Sequence, residues 1–296
     1  MKLFDPHIHM TSRTTADYEA MAAAGIAAVV EPSFWVGQPR THVGTFEDYF
    51  ASLLGWERFR ASQFGIRHFC TLSLNPKEAN DPRVAPGVIE LLPRYLPKEG
   101  VVAVGEVGYD DMTVEEEKYF GLQAELAAKF DLPLLVHTPH RDKKRGTERS
   151  LALLKELRFP EERVLIDHNN EETLPLVVKT GCWAGHSIYP KTKMDEERMV
   201  ALVKKYGSER ILINSAADWG VSDPLKVPKT VAHMREAGIP AAAIEKIVWR
   251  NPVDFFAQSG QLDISEMEVR PAVDQRQLFE GNSVLRGQAP QVQGSV

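Results

Sequence analysis

Residues 101–107 (VVAVGEV), a segment of helical spacing at 114–130, and residues 132–137 (LPLLVH) together decide the fold. The first run is apolar at nearly every position, as in a strand covered on both faces. The middle segment carries apolar residues at the spacing of an amphipathic helix. Strand, helix and strand in that order form one parallel crossover unit.

Working outward, the unit repeats in both directions. Strand-like runs precede it at residues 2–5 (KLFD), 26–31 (IAAVVE) and 68–74 (HFCTLSL). Others follow at 163–167 (RVLID), 181–186 (GCWAGH) and 210–215 (RILINS), with a helical segment at 194–206. Gly25 stands where a helix needs a C-terminal cap. Eight such units predict an α/β protein built as a (β/α)₈ TIM barrel rather than an open sheet. A last helix is expected at 241–249, followed by 251–256 (NPVDFF). The expected division is a barrel domain over 1–258 and a polar C-terminal tail or extension over 259–296. That tail, rich in Gln, Gly and Pro, either lacks order or wraps the barrel, and 278–286 (LFEGNSVLR) offers apolar residues for docking.

Composition narrows the function. A hydrophobic fraction of 43% and a charged fraction of 26% suit a globular core. A net charge of −6 argues against gripping nucleic acid by overall electrostatics, although a local basic patch remains open. Cys70 and Cys182 lie in apolar runs and read as core residues, with no disulfide framework. No charged-then-apolar leader and no membrane-length apolar stretch occurs, so the expected location is cytoplasmic, away from membranes. Nothing in the sequence sets an oligomeric state.

The chemistry sits at the strand ends. Asp5-Pro6-His7-Ile8-His9 closes the first strand, and alternation aims both imidazoles to one side. Glu106 ends strand four, His137 ends strand five, His168 follows strand six, and Asp218 follows strand eight. A single histidine at a strand end is most often a satisfied polar residue. Four histidines and two carboxylates at the carboxyl ends of different strands point instead to an active site. His7, His9, Glu106, His137, His168 and Asp218 are therefore the expected ligands. Closure places Asp218 beside His7 and His9, and adjacent strands bring Glu106, His137 and His168 together. Two metal sites bridged by Glu106 follow. Imidazole-rich sites favour Zn, Mn, Co or Fe over Mg.

This ordered set resembles the TatD-like family of the amidohydrolase superfamily. The carriers are His-x-His after strand one, Gly105-Glu106-Val107-Gly108-Tyr109-Asp110, single histidines after strands five and six, and the aspartate after strand eight. The resemblance spans about residues 1–257. It implies two divalent metal ions, hydrolysis by a metal-bound hydroxide, and Asp218 as the catalytic group that orients water and relays its proton. A bridging glutamate, with no lysine in that strand position, sets the group apart from relatives using a carboxylated lysine.

Family members include metal-dependent DNases, but two departures bear on substrate. Many relatives carry Gly-x-His-Pro after strand three, where this chain has Ser73-Leu74-Asn75-Pro76. Their aspartate follows Glu-Thr, and here Asp218 follows Ala216-Ala217. The loop after strand two, with Glu31, Pro32 and Trp35, is extended towards Phe50. Asn75 and His186, which ends strand seven, are candidate substrate contacts. So is Arg141, in the basic run 141–145, whose planar fork suits an oxyanion. A small anionic phosphoester, amide or lactone is the expected substrate, with nucleic acid less favoured. A metal-dependent isomerase or lyase, or a binding protein retaining its metal, are the alternatives.

Overall fold

The computed structural model describes residues 1–34, 37–263 and 265–268. Its strands are β1 (Leu3–Asp5), β2 (Ile26–Pro32), β3 (Arg67–Leu72) and β4 (Val101–Gly108). They continue as β5 (Leu134–His137), β6 (Val164–Ile166), β7 (Trp183–Ser187) and β8 (Ile211–Asn214). Each pairs in parallel with the next, so sheet order equals chain order. The seam between β8 and β1 is drawn together just past the strand ends. Ala216 N donates to His7 O at 2.8 Å, and His9 N donates to Ala217 O at 2.9 Å. The buried Asp5 carboxylate accepts Ser215 N at 3.1 Å. The molecule is the (β/α)₈ barrel that the repeat of strands and helices predicts, with strand ends within two residues of those expected.

Local chemistry explains the helix limits. Val114–Lys129 begins with a capping box, Thr113 accepting from Glu116 N while Glu116 reaches back to Thr113 N. Thr15–Ala23 begins likewise with Thr14 and Asp17. It ends at Gly25, whose φ of +93° is the left-handed turn that glycine adopts without strain. The helix expected to stop at residue 249 does not. Ala241–Glu245 runs through a wider turn, Lys246–Arg250, into Asn251–Ala257. Pro252 opens the last segment, where a missing N–H does little harm. Glu31 and Pro32 also lie within β2, not in the loop beyond it.

The barrel lumen changes character along its axis. Phe69, Leu135, Leu165 and Leu212 belong to an inner apolar cluster with Phe4. Two residues further along the same strands stand Thr71, His137, Asp167 and Asn214, which period-two alternation aims into the same lumen. Phe255 and Phe256, joined by Leu262 and Met267, complete the apolar cluster and so plug the end opposite the polar residues. Lys2 Nζ donates to Met267 O at 3.1 Å, tying the start of the tail to the N-terminus. The rest of the expected tail, including 278–286, lies outside the described residues, as does Trp35. Among the described residues no helix is long and apolar enough to cross a membrane.

Candidate metal centre

At the polar end the strand termini converge on Glu106. Its Oε1 lies 3.1 Å from His168 Nε2, 3.3 Å from His137 Nδ1 and 3.7 Å from His7 Nε2. His7 Nε2 and His9 Nε2 are 3.2 Å apart. His7, Glu106 and His168 form a buried group able to hold a metal ion. Close backbone approach brings this about. A Cβ on Gly105 would lie 2.6 Å from Leu135 Cβ, so only glycine lets β4 come this near β5. His168 adopts φ +60°, a strained conformation for a side chain-bearing residue and one that clusters at functional sites.

Hydrogen bonds behind the cluster fix which ring nitrogens face it. Asp167 Oδ2 can only accept, so His7 Nδ1, at 2.6 Å, carries the proton. Asp167 Oδ1 accepts His168 N at 2.7 Å, and Asn214 Nδ2 donates to the same carboxylate at 3.0 Å. That commits Asn214 Oδ1 to accept from Ser187 Oγ at 2.7 Å. Ser187 Oγ is left to accept from His168 Nδ1 at 2.6 Å. Both His7 and His168 therefore turn bare Nε2 lone pairs towards Glu106. Lone pairs of His7 and His9 meeting at 3.2 Å repel unless a cation or proton lies between them. The donor set fits divalent metal ions.

Charge agrees with this arrangement. Burial alone would raise Glu106, but the His7 charge, with His137 and His168 close by, pulls it well below the usual carboxylate value. Burial, with the neighbouring His7 charge, pushes His9 down to about 3. Burial and the nearby Lys193 hold His168 down as well. Against burial, the carboxylates of Glu106 and Asp167 raise His7. Neutral His9 and His168 and ionised Glu106 are already the ligand forms that a metal requires, and an arriving cation would displace the extra proton that the raised His7 favours.

Asp218 completes the rim. Its Oδ1 accepts Tyr189 OH and Gly220 N, both at 2.8 Å, while Oδ2 has no hydrogen-bond partner among the described residues. The cavity above measures about 620 Å³. It is lined by the six expected ligand residues and Asn75, and also by Phe34, Lys77, His140, Tyr189 and Lys193. Asn75 Oδ1 also caps the short helix Pro76–Ala79 by accepting Lys77 N at 3.0 Å. Arg141 and His186 are not brought to the cavity. Arg141 points outward, 84% exposed, and pairs with Asp111 at 2.7 Å. Ser187 faces the lumen, so its neighbour His186 faces the helices, fully buried, with Nδ1 3.3 Å from Leu212 O. The sequence reading missed Asp167, Ser187, Asn214, Tyr189 and Lys193. Alternation from Leu165 and Leu212 could have pointed to Asp167 and Asn214; nothing periodic marked Lys193.

A parallel eight-stranded barrel with histidines gathered round a buried glutamate defines a metal-dependent hydrolase of the amidohydrolase type. The model of the TatD-related DNase family matches residues 4–257, and the chain belongs to that family. An uncharacterized metal-dependent hydrolase of Methanocaldococcus jannaschii is 27% identical over 259 residues, 86% of this chain and 99% of that protein. A TatD-like protein of Archaeoglobus fulgidus superposes with a TM-score of 0.71 at 28% identity, covering 86% and 99% of the two chains. An Escherichia coli phosphotriesterase homology protein, with phosphate in its active site, gives 0.64 at 16% identity, covering 86% of this chain and 98% of that one. A Listeria monocytogenes lactonase gives 0.60 at 16%, covering 86% and 94%. The last two show a shared fold.

Proposed function

We propose that this hydrolase carries two divalent ions and cleaves a small anionic substrate at a phosphoester, amide or lactone bond. His7, His9 and Asp218 would hold one ion, His137 and His168 the other, with Glu106 shared. The observation that carries this is the single Glu106 oxygen approached by His7, His137 and His168 at 3.1–3.7 Å. Mixed imidazole and carboxylate donors favour Zn, Mn, Co or Fe over Mg. When bound, such ions supply Lewis acidity and water of lowered pKa.

The chain's own residues do the rest. Tyr189 OH and Gly220 N anchor Asp218 Oδ1, which leaves Oδ2 to take a proton from the attacking water and return it to the leaving group. Asn75 of the cavity wall helps position the substrate. Cations near the mouth are already matched, Arg141 by Asp111 at 2.7 Å and Lys77 by Asp110 at 3.3 Å. A polynucleotide needs several phosphates neutralised at once, so this surface favours a small molecule. On the same fold the Listeria protein is a lactonase and the E. coli protein holds phosphate, both within the bond classes proposed. Two buried thiols, Cys70 and Cys182, suit a reducing compartment such as the cytoplasm.

The test is to assay zinc- or manganese-loaded protein against bis(4-nitrophenyl) phosphate, γ-lactones, dipeptides and duplex DNA. Metal-dependent turnover of a small substrate supports the proposal. DNA degradation that outpaces every small substrate and collapses with salt would return the nuclease reading, which the family's name favours.

A further inference from the structure

Lys193 and Phe34 give the cavity two unlike walls, and Trp219 stacks on Phe34 to extend the aromatic one outward. Lys193 lines the cavity on the segment after β7, with Nζ 3.3 Å from His168 Nδ1. That nitrogen's proton is already given to Ser187, so the contact sets donor against donor and satisfies neither. The Tyr189 ring, 5.4 Å from Nζ, offers only its π face. Among the described residues no carboxylate pairs with Lys193, whereas Lys77, Lys226 and Lys229 each have one. Glu106, Asp167 and Asp218 attract Lys193 only from beyond ion-pair distance, so its N–H groups keep capacity for an incoming oxyanion.

The other wall is aromatic. Phe34, just past β2, stacks on His9 with ring centroids 4.2 Å apart. Trp219 continues the stack at 6.2 Å and 10° between planes, and is half exposed. The half-exposed Trp219 ring, backed by half-buried Phe34, offers a surface for a planar apolar group. Phe34 follows β2 and Lys193 follows β7, three strands apart around the eight-stranded ring, so they line different sides of the cavity.

We infer that the substrate is two-ended: a small oxyanion seats on Lys193, an apolar planar group lies on Phe34 and Trp219, and the scissile bond spans the space above Glu106. This rests on the hydrolase reading above and adds to it which residues select the substrate. Carboxylate and phosphate share the required chemistry.

The experiment compares four esters on the zinc-loaded enzyme: 1-naphthyl hemisuccinate (both ends), 1-naphthyl butyrate (planar end alone), methyl hydrogen succinate (anionic end alone) and 1-naphthyl 3-phosphonopropanoate. In each, water adds hydroxyl to the acyl carbon and a proton to the departing alcohol as the acyl C–O bond breaks. The wild type should prefer hemisuccinate to either single-ended ester by about tenfold or more in kcat/KM, the worth of one charged hydrogen bond. Lys193→Met should erase the preference over butyrate, mainly through KM, and Lys193→Arg should restore part of it. Trp219→Ala should cut the preference over methyl hydrogen succinate by about threefold or more, leaving the part that the better naphtholate leaving group supplies. Whichever of the phosphonate and carboxylate is faster names the oxyanion. A Lys193→Met enzyme that keeps the wild-type ratio overturns the inference, and Lys193→Gln carries the comparison if the Met variant misfolds. If no ester is cleaved, ester hydrolysis fails, yet calorimetry with 4-(1-naphthyl)butyrate still decides the two-ended site. Binding weakened tenfold or more by Lys193→Met supports it, and absent or unchanged binding overturns it.

Discussion

Replacing Asp167 by asparagine changes one atom and almost no volume, yet it should loosen the metal centre. The carboxylate accepts from three donors: His7 Nδ1 at 2.6 Å, His168 N at 2.7 Å and Asn214 Nδ2 at 3.0 Å. An asparagine has one accepting oxygen. With its amide nitrogen towards His7, that ring must move its proton to Nε2, the atom facing Glu106. With the amide reversed, its N–H groups meet those of His168 and Asn214 instead. Loss of such an orienting partner typically weakens metal binding about 10–100-fold, which is about 1.4–2.7 kcal/mol. The assay is competition for Zn²⁺ between stripped protein and a fluorescent chelator, with apo-protein melting as the control for folding. Ser187→Ala, which removes only the acceptor for His168, should show the same effect in smaller measure. An Asp167→Asn protein that melts normally and binds zinc within about twofold of wild type would refute the orienting role.

Other perturbations separate chemistry, recognition and stability. Asp218→Asn should stay folded and lose about 10²–10⁴-fold in turnover, read by steady-state kinetics on any substrate found; near-normal turnover removes Asp218 from proton transfer. Arg141→Ala should change KM by less than about fivefold, since an exposed pair is worth at most about 1 kcal/mol; a larger rise would return Arg141 to the site. Phe256→Ala should cost about 3–5 kcal/mol in chemical denaturation, because the ring plugs the barrel; a loss under about 1 kcal/mol contradicts that packing. Burial, with the Lys193 charge, pushes Lys143 down to about 7, so between there and the ordinary lysine value of 10.5 the unfolded chain binds the extra proton. Stability should therefore rise with pH across that window by up to about 1.4 kcal/mol per unit. Lys143→Met should flatten the rise, and an unchanged slope would exclude Lys143 as its source.

The barrel was legible because buried parallel strands leave unbroken apolar runs, such as residues 101–107, separated by helical periods. The six residues around the centre were legible because the fold gathers strand ends at one face. What lay hidden depends on direction. His186 and Ser187 are neighbours, and only the register of β7 tells which enters the lumen. Arg141 and Lys193 both sit on loops, where no period fixes orientation, so the exposed arginine drew notice and the cavity lysine did not. Asp167 reads as the polar end of a strand until its contact with His7 is seen. The helix expected at 241–249 reads as complete until the wider turn that carries it on into Asn251–Ala257 is seen.

Calorimetric titration of chelator-stripped protein with Zn²⁺ reads out whether a pair of ions shares Glu106. Saturation is expected at two equivalents for the wild type, with weakened binding of both for Glu106→Ala in a protein that still melts cooperatively. Saturation at one equivalent, no saturable binding, or a Glu106→Ala isotherm that overlays the wild type would contradict it.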